Sequence, residues 1–126
     1  MTRAEICLAA VGVIGVVTAA IHGVIMQRRM IAPLSAHLEQ HRVLSSASRA
    51  LVAPLLHVST LAWAVAGVAL AYAAVRGTTD LQRVTAATAF IIFGYAAVAN
   101  ALAVRGLHPG WMLMGLATLL IAAAYL

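Results

Sequence analysis

The sequence predicts an all-α integral membrane protein: four transmembrane helices in an up-and-down bundle, with a short interfacial helix between the first and second. Three observations predict it. Of 126 residues, 64% are hydrophobic and only 9% are charged, whereas a soluble domain carries about 25% charged residues to keep its surface wet. The mean hydropathy is +1.02. Apolar runs recur between short breaks rich in Arg, Gly, Pro and Thr, and a bilayer core takes about 20 such residues per helix. One domain, 1–126, holds spans over about 3–27, 46–76, 80–105 and 109–126, with an interfacial segment over about 30–44.

The first span opens at Thr2-Arg-Ala-Glu5, a capping box in which hydroxyl and carboxylate each reach back to an orphan amide. Its apolar run, Ile6 to Met26, carries Gly12, Gly15, Ala19 and Gly23 as places for close helix approach. The run is long for a signal-peptide core and Arg3 is offset by Glu5, so it reads as a retained span. Arg28-Arg29 follows the span and is therefore no twin-arginine export signal.

Pro33 marks a break, after which Leu34 and Leu38, with His37 and His41, suggest a short helix along the membrane surface. Ser45-Ser46-Ala-Ser48 runs into the second span. There Ala53, His57, Thr60, Ala64, Gly67, Ala71 and Ala74 recur at spacings of four and three, a single seam of small residues plus one imidazole. The second span ends Ala-Val-Arg76-Gly77 and the third Ala-Val-Arg105-Gly106. This repeat is read as a shared cap, with Gly in the left-handed conformation and Arg against the dipole. Thr79-Asp-Leu-Gln82 reads as a second capping box, and His108-Pro109-Gly110 starts the fourth span with Pro at the first helical position.

All the basic residues are Arg, the net charge is +5 and the pI is about 10.8. Arg at the ends of apolar runs implies contact with the bilayer and its anionic lipids. No basic stripe with interleaved aromatics suggests nucleic acid. Arg28, Arg29, Arg42, Arg49 and Arg105 fall on the membrane side that holds the 27–49 connection, against Arg3, Arg76 and Arg83 on the other. The excess puts that connection in the cytoplasm. Cys7 is alone, so no intrachain disulfide forms.

Three strong polar side chains interrupt the apolar runs: His22, His57 and Asn100. Each lies about six positions from the centre of its run, or ~9 Å at 1.5 Å per residue, and all three are displaced toward the side of the 27–49 connection. Convergence of the three with Thr60 would make a polar cluster. Its bland reading is mutual hydrogen bonding that fixes helix register. Its functional reading is a cofactor site in which His22 and His57 ligate haem b or a metal ion, or a path for protons or ions. The structural reading is favoured. His37 and His41 have the i,i+4 spacing of paired metal ligands, yet Glu39 sits one position away from that of a His-Glu-x-x-His protease, about 100° round the helix. Met26, Met30, Met112 and Met114 share that side and read as flexible filler.

The set His22 with Pro33-Leu34, Leu56-His57-Val-Ser-Thr60 and His108-Pro-Gly-Trp111 resembles small four-span bacterial membrane proteins of no known activity. Met26 stands where those proteins carry a Gly, and Leu56 where they carry a Trp. The resemblance implies a multi-pass protein of the bacterial inner membrane. Small multidrug exporters share the length but need a membrane-embedded carboxylate, and Glu5, Glu39 and Asp80 are all at helix ends. No fluoride-channel motif is present either. With no nucleophile, carboxylate pair or phosphate loop, the expectation is an accessory or assembly protein without catalytic activity. It would act as a homo-oligomer or with a partner membrane protein. The alternatives are a haem- or metal-binding protein and an oligomeric ion or proton pathway.

Overall fold

Thr2 opens the first helix as its sequence requires. Its hydroxyl accepts from the Glu5 amide at 3.2 Å, and the Glu5 carboxylate accepts from the Thr2 amide at 2.7 Å. The computed structural model describes residues 1–41, 44–104 and 106–125. Among them are helices α1 (Arg3–Met26), α2 (Ala32–His41), α3 (Ser46–Arg76), α4 (Thr79–Ala103) and α5 (Pro109–Tyr125), with a π turn at Gln27–Ile31 joining α1 to α2. Arg42, Val43, Arg105 and Leu126, into which the expected interfacial segment, third span and fourth span extended, lie outside the described residues.

Two features of the expected architecture need correction. Among the described residues there is no separate interfacial helix: α1, the π turn and α2 form one continuous 39-residue helix, Arg3–His41. A proline ring crowds the carbonyl four residues before it in a regular α-helix. For Pro33 that residue is Arg29, inside the widened turn, where the Ala32 amide reaches back to the Gln27 carbonyl. The π turn thus absorbs the proline that suggested a break. Secondly, among the described residues only three helices are long and apolar enough to cross a membrane: Arg3–His41, Ser46–Arg76 and Thr79–Ala103. Helix α5 has 17 residues, about 26 Å at 1.5 Å per residue, short of the ~30 Å hydrocarbon core.

Four helical rods therefore form the bundle, arranged in the cyclic order α1, α3, α4, α5, with α5 closing back on α1. The α1–α3 interface is the most extensive, and its glycines explain why. A Cβ on Gly12 would lie 2.8 Å from the Ala71 amide nitrogen and from the Gly67 carbonyl oxygen; one on Gly67 would lie 2.8 Å from the Gly12 oxygen and the Val16 nitrogen. The two backbones touch. In lipid, apolar burial alone gives helices little reason to associate, so this close van der Waals contact supplies much of the attraction. Gly15 opens a second gap, filled from α4 by Phe93, which is fully buried with Leu8, Val11, Leu70 and Met114. Outward-facing Leu55, Leu61, Val84, Ile91, Val98 and Leu119 form the apolar exterior.

The helix ends follow the sequence in part. Ser45 caps α3, accepting from the Ser48 amide at 3.1 Å, and Arg49 donates to the Leu44 carbonyl at 2.7 Å. At α4 the cap is Thr78, not Thr79: its hydroxyl accepts from the Leu81 amide at 3.4 Å. Gln82, expected to complete a box with Thr79, instead donates to the Ala73 carbonyl of α3 at 3.1 Å. Gly77 is extended, at φ −81° and ψ 148°, and not left-handed. Glycine is needed there because a Cβ would come 2.5 Å from the Ala73 oxygen. Helix α4 ends on Val104, also extended.

Candidate functional site

The small-residue faces of α1 and α3 run antiparallel, so Gly23 meets Thr60 while Gly12 meets Ala71. That register brings His22 beside Trp63, their rings 4.5 Å apart at 49°. Trp63 is buried on α3. One turn before it in the chain, Thr60 presents its methyl group to Gly23. Further along, His57 joins the π turn: its Nε2 lies 3.1 Å from Gln27 Oε1. With the amide oxygen as acceptor, Nε2 carries the proton.

The predicted polar residues thus take separate partners. His22 packs against Trp63 with its ring tilted, and His57 bonds Gln27. Asn100 donates to the Ala96 carbonyl of its own helix at 2.7 Å. Thr60 stands at the α1 seam without a hydrogen-bond partner for its buried hydroxyl. On α2 the rings of His37 and His41 lie 4.3 Å apart, both exposed. Among the described residues, no three of His, Cys, Asp and Glu gather as a metal site of that size would require.

A cavity of about 160 Å³ opens beside this end of the α1–α3 seam. Thr18, Ile21, His22 and Ile25 line it from α1, and Trp63 from α3. The start of α5 supplies His108, Pro109 and Leu113. Thr18 Oγ1 and His22 Nε2 are buried and have no hydrogen-bond partner. Such a group costs about 1–3 kcal/mol when left unmade. Elsewhere the same residue type behaves differently. Thr85, Thr88 and Thr118 each return the hydroxyl to the carbonyl four residues back, at 2.7, 2.9 and 2.8 Å.

His108 caps α5, its Nδ1 accepting from the Gly110 amide at 3.1 Å. A neutral ring held that way carries its proton on Nε2. Larger hollows, such as one of about 410 Å³ lined by Arg83, Phe90, Ile91 and Tyr125, are open apolar grooves on the outer face without an imidazole.

Sequence reasoning missed two participants, Gln27 and Thr18. Thr18 stands four residues before His22 and so shares its helix face, a spacing that would have revealed it. Gln27 directly follows the apolar run Ile6 to Met26, where nothing in the sequence distinguishes it from an ordinary helix end. No protein-family model, curated protein or solved structure matches this chain. The molecule is a small, apolar, all-helical bundle with the character of a membrane protein and no evident catalytic machinery among the described residues.

Proposed function

We propose that the chain is an accessory or assembly protein of a bacterial inner membrane, acting by association and not by catalysis. The observation that carries this reading is the His57–Gln27 bond: an imidazole within a long apolar helix serves to tie α3 to the π turn. Asn100, closed on its own helix, supports the same view. The basic residues Arg28, Arg29 and Arg49 would hold anionic headgroups at the cytoplasmic face. The apolar outer faces of α3 and α4 would meet a second copy or a partner membrane protein.

The test is the absorption spectrum and metal content of detergent-purified protein, with His57→Ala beside it. A colourless, metal-free preparation whose variant loses stability alone supports the proposal. A Soret band or stoichiometric metal that disappears in the variant overturns it. So does pH-dependent ion flux in liposomes that requires both His22 and His57.

A further inference from the structure

We propose that the cavity between α1, α3 and the start of α5 receives the carbonyl-bearing ring of a lipid quinone drawn from the bilayer. Its polar groups can all donate: a hydroxyl, and imidazole nitrogens in the tautomer that carries the proton on Nε2. The Thr18 hydroxyl is on a residue only 4% exposed and has no partner. His22 Nε2 is likewise unpartnered. The cap geometry of His108 makes its Nε2 a donor in the neutral ring. A neutral molecule that offers oxygen acceptors satisfies this set.

Size and walls narrow the class. About 160 Å³ is close to the ~150 Å³ of a buried cavity that accepts one benzene ring. Trp63 supplies an aromatic wall, while Ile21, Ile25 and Leu113 supply aliphatic ones. Ile21 and Ile25 are also exposed on the outside of α1, so an apolar tail could leave the cavity directly along the lipid-facing surface. A fatty-acid head would instead bring a full negative charge into walls that are mostly apolar, which is costly without a fixed cation.

The inference is independent of the accessory reading and is tested by tryptophan fluorescence. In a Trp111→Phe background Trp63 is the one remaining tryptophan. Decylubiquinone added to this full-length protein in nanodiscs is expected to quench it with a saturable component. Thr18→Val, close in shape and lacking only the hydroxyl, is expected to weaken that component roughly fivefold to tenfold. Leu113→Phe, which fills the cavity, is expected to leave only quenching linear in quinone. Circular dichroism confirms that each variant is folded. Linear quenching in the Trp111→Phe protein would overturn the proposal, as would saturation unchanged in both variants. Displacement by decanoate at equal concentration would overturn the choice of a quinone.

Discussion

His57 Nε2 and Gln27 Oε1 lie 3.1 Å apart, joining α3 to the widened π turn at Gln27–Ile31. The bond crosses between elements thirty residues apart in sequence, where a hydrogen bond measures helix–helix coupling directly. His57→Ala should lose about 1–2 kcal/mol of stability, and a double-mutant cycle with Gln27→Ala should give a coupling near 0.6 and no more than about 1.7 kcal/mol. Unfolding of the four proteins in mixed micelles measures it; additive losses would show that the two side chains do not depend on each other.

The glycine seam makes a contrast between two alanine substitutions. In Gly67→Ala the new methyl group meets backbone atoms of Gly12 and Val16 at 2.8 Å, which cannot rotate away. Forcing α1 and α3 apart should cost about 1–3 kcal/mol, the range for overpacking. Gly115→Ala meets nothing within 4 Å in the middle of α5 and should raise the melting temperature slightly, since alanine gains ~0.5–1 kcal/mol over glycine inside a helix. Equal effects of the two substitutions would remove the seam from the account of stability.

Thr18→Val should stabilise the ligand-free protein. The hydroxyl is buried without a partner, and removing an unsatisfied polar group recovers about 1 kcal/mol or more of its desolvation cost. Thermal unfolding without added quinone gives the answer, and a lower melting temperature would mean that the hydroxyl is hydrogen-bonded after all.

Gln82 clasps the turn between α3 and α4 through the Ala73 carbonyl. Gln82→Leu should lose about 0.5–1.5 kcal/mol, the ordinary net worth of a hydrogen bond. Hydrogen exchange at the Gly77 amide, which also bonds Ala73, should rise with it; unchanged protection would show the clasp to be idle.

Close contacts and caps were legible in the sequence where one residue type admits one physical role. Gly12, Gly15, Gly23 and Gly67 stand at helical spacing in apolar runs, and that pattern has few explanations other than near backbone contact. Thr2 with Glu5 is equally specific. Legibility failed where two residues compete or where a tertiary contact decides. Thr78 and Thr79 can each cap a helix, and Thr78 prevails with Gln82 turned to Ala73. Gly77 is required by the nearness of Ala73 and not by its own torsions. Pro33 looked like an interruption because a local rule cannot foresee a widened turn. In the candidate site, composition exposed the imidazoles but not their neighbours: His57 could have met any donor or acceptor across the seam, and it meets Gln27.

The continuous first helix has a geometric corollary. Its 39 residues measure about 58 Å at 1.5 Å per residue. A helix tilted by 40°, the steep end of the usual range, uses only about 39 Å of its length to traverse a 30 Å hydrocarbon layer. Some three and a half turns must then stand clear of the acyl chains. With the helix set across a bilayer, the end that carries the exposed His37 and His41 would stand like a mast in the aqueous phase, within reach of reagents that never enter lipid.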